Sequence, residues 1–230
     1  GGGLLVFEPL RGTRTALDTT ALMSMRLSVA IADRGGVILG GGPQASTNDI
    51  LVRAAMTGDT VHAPTPFVQG LGGRAVALFP GGVNGELLIV TSTGLFAAPT
   101  SGGTARPLSA AIPNMGNTDA AFASPTILVT TGADSLAAPG LWLFETVAHS
   151  MRFVPLRLPP PLVVASGPNP GTVLVGDSTG QVWTYELATQ AQTQFAQVSA
   201  GALQALAANP DQRQWLAASP SSLHVFRSAN

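Results

Sequence analysis

Residues 173–195, VLVGDSTGQVWTYELATQAQTQF, decide how the chain folds. Val173-Leu174-Val175 is a compact apolar run of the kind that fills a strand buried on both faces. Gly176 to Gly180 supplies a polar turn, with Gly180 placed where a tight hairpin asks for positive φ. From Gln181 to Glu186 apolar and polar side chains alternate with the two-residue period of a strand. A second turn follows, and then a third strand that runs to Phe195.

The same unit recurs along the chain. The residues that open the alternating strand are Gly3 (LLVFEP), Asp49 (ILVRAA), Gly94 (LFAAPT), Gly140 (LWLFET), Gly180 (QVWTYE) and Ser222 (LHVFRS), at spacings of 46, 45, 46, 40 and 42 residues. A period of this length marks a repeat architecture in which each unit buries its faces by stacking on its neighbours. Each anchor from Asp49 onward follows a buried central strand: Val37 to Leu39, Leu87 to Val90, Ile127 to Val129, Val173 to Val175, and Trp215 to Ala217. Before those lie small-residue strands at Ser28 to Ala32, Ala75 to Phe79, Ala120 to Ser124, Leu162 to Ser166 and Leu203 to Ala207. Their Ala and Val content suits strands crowded about a common axis. After each anchor strand come Thr13 to Leu17, Thr60 to Ala63, Thr104 to Leu108, Met151 to Leu156 and Thr193 to Val198. Their Thr, Arg and Gln suit outer edges, where polar side chains discourage unwanted pairing. Leu158-Pro159-Pro160-Pro161 punctuates two units, since proline cannot continue a ladder.

The pattern predicts an all-β chain, residues 1–230 forming one β-propeller domain of four-stranded antiparallel blades. Six blades with an incomplete first one are expected, or seven. The final unit stops after its third strand. An N-terminal segment such as Thr13 to Leu17 would complete it, leaving Leu4 to Glu8 surplus.

VLVGDSTGQVWTYELATQ, with the preceding VVASGPNPG and the later ALAANPDQRQWLAASPSSLHVF, resembles the WD-repeat and quinoprotein-like propeller superfamily. Blades there often run from a small-residue strand through a polar turn to an apolar strand, a Gly turn and a V-W-type strand. Two departures stand out. Tyr185-Glu186 occupies the place where WD repeats usually carry Trp-Asp, and their Gly-His pair is absent. The resemblance implies a propeller, a fold shared by scaffolds, enzymes and sensors.

Composition narrows the chemistry. With 27 Gly and 18 Pro in 230 residues the chain is rich in turn formers. Charged residues make up only 10%, against about 25% in ordinary soluble domains. All 11 cationic side chains are Arg and none is Lys, which excludes a Schiff-base lysine and a Walker-type phosphate loop. A net charge of −1 gives no field to attract nucleic acid or anionic lipid. Without Cys there is no disulfide, thiolate metal site or Cys nucleophile. No apolar run is long enough to span a bilayer, and nothing at the N-terminus reads as a signal peptide. The chain begins at Gly1 without Met, so processing or truncation is expected, with any leader or membrane anchor lying outside it.

Several short motifs carry candidate chemistry. Gly176-Asp177-Ser178-Thr179-Gly180 is a literal G-x-S-x-G, but a nucleophile elbow leads into a helix and here a strand follows. Ser92-Thr93-Gly94 repeats the Ser-Thr-Gly at an equivalent turn, which points to hairpin geometry. His62, His149 and His224 fall at different places in the repeat, whereas ligands of one metal ion must converge within about 2 Å of it. Asp33, Asp119, Asp134, Asp177 and Asp211 sit near strand ends or turns, where Asp commonly bonds its own backbone. Trp142, Trp183 and Trp215 lie in strands and are expected to pack between blades. Glu186 to Gln190 is superficially similar to the turn of pyrroloquinoline-quinone propellers, without their Thr-Gly and Trp, and no cofactor is inferred. Gly40-Gly41-Gly42 and Gly70-Leu71-Gly72-Gly73 read as turns, since no helix follows to cradle a phosphate.

No catalytic, cofactor-binding or metal residue is therefore assigned. The expectation is a non-catalytic interaction or scaffold propeller with protein partners and no nucleic acid. Cysteine-free chains with Ala-, Gly-, Thr-, Ser- and Gln-rich surfaces are common among exported bacterial proteins, which points to an envelope or extracellular assembly. The alternative is an enzyme or small-molecule sensor with a site at the axial mouth, as in lactonase, glycosidase and quinoprotein propellers.

Overall fold

A computed structural model describes residues 4–8, 13–22, 24–33, 35–43, 46–81, 85–109, 119–160, 162–198, 201–209 and 214–227. The chain divides into two compact units, Gly1–Ala111 and Ile112–Asn230.

The first unit opens with β1 (Leu5–Glu8) and β2 (Thr13–Ala16), paired antiparallel with each other, and a 3-10 turn at Thr20–Leu22. Next come β3 (Met25–Asp33), β4 (Gly36–Pro43), β5 (Ile50–Thr57), β6 (Thr60–Val61) and β7 (Thr65–Gln69). Then follow β8 (Ala75–Phe79), β9 (Leu87–Thr91), β10 (Gly94–Ala98), β11 (Gly103–Thr104) and β12 (Arg106–Pro107). One sheet runs β3-β4-β5-β7, with β11 added in parallel beyond β7 and β6 pairing the end of β5. A second runs β8-β9-β10-β12.

Alternation along β4 buries it on both sides. Val37 and Leu39 join Leu22, Val52 and Val61 on one face, with Leu4 and Leu17 of the leading segment packed there. Ile38 faces the next sheet, in a core shared with Leu51, Val68, Leu78, Leu87 and Ile89. Each such fully buried aliphatic side chain contributes about 1.5–3 kcal/mol.

The second unit holds β13 (Asp119–Ser124), β14 (Ile127–Ala133), β15 (Pro139–Glu145), β16 (Ser150–Pro155), β17 (Val163–Ser166), β18 (Thr172–Gly176), β19 (Gln181–Glu186), β20 (Gln192–Gln197), β21 (Ala205–Asn209), β22 (Gln214–Ala218) and β23 (Leu223–Arg227). They form antiparallel meanders β13-β14-β15-β16 and β17-β18-β19-β20, then a three-stranded β21-β22-β23. Val164, Val173 and Val175 pack on Val129, Leu141 and Leu143 of the preceding sheet. Val163, Ala165 and Leu174 point the other way, onto Leu206, Trp215 and Ala217 of the following one.

Among the described residues there are thus five sheets of three or four main strands, not six or seven blades. The leading Leu5–Glu8 and Thr13–Ala16 make no blade of their own. They pair with each other, while flanking Leu4 and Leu17 cover the first sheet's outer face. The LVFE stretch has the apolar run of a blade strand, but among the described residues its ladder ends at two strands. β2 pairs with β1, and among the described strands β23 pairs with β22 alone.

Three smaller expectations also change. The outer strand of the first sheet is β7, not Thr60 to Ala63, because the short β6 folds back on the end of β5. Gly40-Gly41-Gly42 is not a turn but part of β4. A Cβ on Gly40 would lie 2.6 Å from Val29 and 2.8 Å from Ala75 of the next sheet, so glycine permits the close approach. Gly94 needs no positive φ, because the two-residue turn is Ser92-Thr93 and Gly94 already pairs with Thr91; Gly180 does, at φ 82°.

Candidate functional site

Polar side chains collect where the second strand of a sheet turns into the third. Asp49, just before β5, is 1% exposed. Its Oδ1 accepts from Arg26 at 2.7 Å, and its Oδ2 accepts from the Ser28 hydroxyl at 2.6 Å and the Ala75 backbone N–H at 3.0 Å. Its own N–H donates to the Gly73 carbonyl at 3.0 Å. One carboxylate thereby ties the first sheet to the start of the next, and its charge is met by a guanidinium, as burial demands.

Asp119 opens β13 and performs a related task. Its Oδ2 accepts the Val164 N–H of the next sheet at 2.9 Å, and Oδ1 accepts the Ala120 N–H at 2.9 Å. No salt bridge to it is seen among the described residues. Burial pushes its carboxyl up to about 6, outweighing the two backbone donors that lower it.

Asp177, in the G-D-S-T-G turn, is 2% exposed and fully occupied. Oδ1 accepts from the Thr179 N–H and hydroxyl and from the Gln181 N–H, and Oδ2 accepts from the Trp183 indole at 3.1 Å. Its carbonyl accepts the Leu203 N–H of the next sheet. Ser178 lies in a hairpin turn between β18 and β19, with its backbone N–H on the Pro159 carbonyl. Asp134 likewise closes its own turn, accepting from Leu136 and Ala138. Asp211 lies outside the described residues.

Asp33 has a different setting. Its carboxylate meets Arg53 Nε at 2.7 Å, and the Arg53 guanidinium lies 4.1 Å over the Phe67 ring. These residues border a cavity of about 280 Å³ lined also by Ala32, Ile38, Pro80, Leu87 and Thr100. No local pattern in the sequence marks it, because its walls are drawn from two consecutive sheets.

The three histidines stay apart. His62 bonds Thr57 Oγ1 at 3.0 Å, His149 stacks on Phe144, and His224 bonds Ser222 Oγ at 2.8 Å. Among the described residues no three His, Asp or Glu side chains gather where an ion would sit. Of the tryptophans, Trp215 packs fully between sheets and donates to the Ser166 carbonyl at 2.9 Å. Trp183 leans on the core between the unit's first two sheets, while Trp142 bonds within its own sheet, beside Phe153. Tyr185 is buried with no hydrogen-bond partner for its hydroxyl among the described residues, and desolvation raises its pKa above the ordinary phenol value.

No protein-family model matches the sequence, and no curated protein does. Solved structures match in fold. A chain of a mitotic checkpoint complex aligns with TM-score 0.65 and 14% identity over 99% of this chain and 70% of that one. Putative TolB from Agrobacterium tumefaciens aligns with TM-score 0.68 and 12% identity, covering 94% and 76%. A chain of a nidogen/laminin complex aligns with TM-score 0.64 and 13% identity, covering 97% and 89%. At such identities the likeness is one of fold, and the fold is that of WD-repeat and other β-propellers.

Proposed function

We propose that the chain is a non-catalytic interaction propeller, held in a bacterial envelope or extracellular assembly by a protein partner. The observation that carries this reading is the outward face of β21-β22-β23. Pairing aligns Ala205 with Ala218 and Leu223, and Ala207 with Leu216 and Val225, all on one face. Leu223 is 42% and Val225 61% exposed, and Ala205 and Ala207 are exposed as well. The opposite face, with Leu206, Trp215 and Ala217, is buried on the preceding sheet. The outward face ends in Asn209, Gln214 and Arg227 at one edge, so an apolar patch bordered by polar groups is left uncovered, the usual make-up of a contact surface.

Low charge density supports the same reading, since few charged groups oppose association. Two of the structures similar in fold are complexes by description. The envelope setting rests on the cysteine-free composition rich in Ala, Gly, Thr, Ser and Gln. No helix among the described residues is long and apolar enough to cross a membrane.

Native mass spectrometry of the chain purified from its source tests the proposal. A complex with a second protein that is lost in a Leu223→Asp/Val225→Asp double variant is the expected result. A stable monomer, or a complex indifferent to both substitutions, overturns it.

One observation favours a second reading, an enzyme or small-molecule sensor of lactonase, glycosidase or quinoprotein type: Asp119 carries a perturbed carboxyl, as functional acids do. A panel of lactones and sugars separates the readings. A compound that raises the melting temperature of the wild type but not of Asp119→Asn favours the second.

A further inference from the structure

We propose that the outer edge of β23 pairs antiparallel with β23 of a second copy of this chain, about a twofold axis at Val225, so that two three-stranded sheets join into one. The pairing is independent of the second protein inferred above and leaves the outward face open to it.

Main-chain groups on this edge are without partners. The Ser219 N–H donates to the Ser222 carbonyl at 2.9 Å, closing the hairpin between β22 and β23. Hydrogen-bonded pairs alternate along an antiparallel ladder. His224 and Phe226 therefore bond Ala217 and Trp215 through the main chain, while the N–H and C=O of Leu223 and Val225 point away from β22. The Ala218 carbonyl, opposite Leu223, fits this phase, since it accepts from the Gln204 N–H on the sheet's other side. In the two preceding sheets the place beside the third strand is filled by β16 and β20. Among the described residues nothing fills it beside β23.

This edge is also unprotected along its length. Exposed edges are commonly blunted by proline, charge, a bulge or a covering strand. β7 carries Pro66 and an irregular register with β5, and is covered by β11. β12 is short and ends in Pro107, and β16 exposes Arg152 and ends in Pro155. β20 exposes Gln and Thr and has a bulge in its pairing with β19. β23 instead runs in unbroken register, with Leu223 and Val225 exposed at 42% and 61% and its Arg227 at the far end.

The complement of such an edge is an extended main chain, and this strand is its own complement. With Val225 opposite Val225 of the second copy, each N–H donates to the other's carbonyl, and the branched side chains meet on the outward face. Leu223 then lies across from Arg227 of the second copy. The strand rise sets the two Arg227 about 14 Å apart, beyond the roughly 8 Å screening length at physiological salt. A net charge of −1 adds little repulsion between copies.

Because the chain has no cysteine, single substitutions report the register. Under mild oxidation Val225→Cys is expected to form a disulfide-linked dimer, its Cα atoms lying about 5.5 Å apart in a hydrogen-bonded pair. Leu223→Cys, about 14 Å from its own counterpart, is expected to stay unlinked. Sedimentation of the wild type should show a dimer that dissociates on dilution. Val225→Pro removes only an outward N–H and spares the ladder to β22; it should weaken the dimer about tenfold, as loss of the paired hydrogen bonds implies. Amide exchange of the wild type needs no variant: Val225 should be protected at high concentration and open on dilution, with Phe226 protected throughout. A monomer at every concentration overturns the proposal, as does cross-linking of Leu223→Cys in preference to Val225→Cys. A Val225 amide protected only when a second protein is bound assigns the edge to that protein and also overturns it, while a homodimer that captures no second protein overturns only the interaction reading.

Discussion

The Asp49 carboxylate accepts the Ala75 backbone N–H at 3.0 Å across the gap between two consecutive sheets, while holding Arg26 at 2.7 Å. Removing one member of a buried pair leaves the other uncompensated. Asp49→Ala is accordingly expected to destabilise the chain by about 3 kcal/mol, at the low end for buried pairs because Arg26 is partly exposed. Ser28→Ala, which removes one hydrogen bond, is expected to cost about 1–2 kcal/mol. Urea unfolding midpoints of the two variants check the order.

Asp119 makes stability depend on pH with a sign opposite to that of a salt-bridged carboxylate. Its folded pKa of about 6 lies above the ordinary 3.8, so the folded state holds its proton more tightly than the unfolded one. The stabilising contribution is complete below pH 3.8 and is lost as pH rises to about 6, on the order of 3 kcal/mol in all. Asp119→Asn keeps an acceptor for Val164 and loses the titration. Its thermal stability is expected to exceed that of the wild type at pH 7, and the two curves should converge near pH 4.

Tyr185 buries a hydroxyl that has no hydrogen-bond partner among the described residues. Tyr185→Phe removes a desolvated polar atom and keeps the ring, so it is expected to raise stability by about 1 kcal/mol. Calorimetry checks this; a loss of comparable size would reveal a partner for the hydroxyl.

Gly176 ends β18 beneath the following sheet. A Cβ there would stand 2.7 Å from the end of the Leu203 side chain and 2.9 Å from a methyl of Val163, whose branched side chain has little freedom to give way. Gly176→Ala is expected to cost about 1–2 kcal/mol and Gly176→Val more, as overpacking does. Chemical denaturation of the pair shows whether the gap is as narrow as the structure has it.

The second and third strands of every sheet were legible because burial on both faces writes long apolar runs, as in Val173-Leu174-Val175, and because Gly180 marks the turn. The outer strands of the first unit were not, since Pro64, Pro66, Pro99 and Pro107 break the alternation that would have located β7 and β12. Among the five Asp candidates, nothing local set Asp119 apart: its partner Val164 lies 45 residues away in the next sheet. Asp49 was visible only as a repeat anchor, and Arg53 over Phe67 not at all, because stacking across residues of one sheet leaves no period to read.

The ties between sheets have a historical consequence. At Asp49 and Asp119 the donor across the gap is a main-chain N–H, and between Asp177 and Leu203 both groups belong to the main chain. A joint that reads only backbone on one side places no demand on the side chain there. The hydrogen bonds at Ala75, Val164 and Leu203 therefore survive exchange of one apolar residue for another of fitting size, since the donor is kept by every residue but proline and only the surrounding core limits the side chain. Similarity between repeats, and between distant kin, is then erased faster than the architecture it encodes.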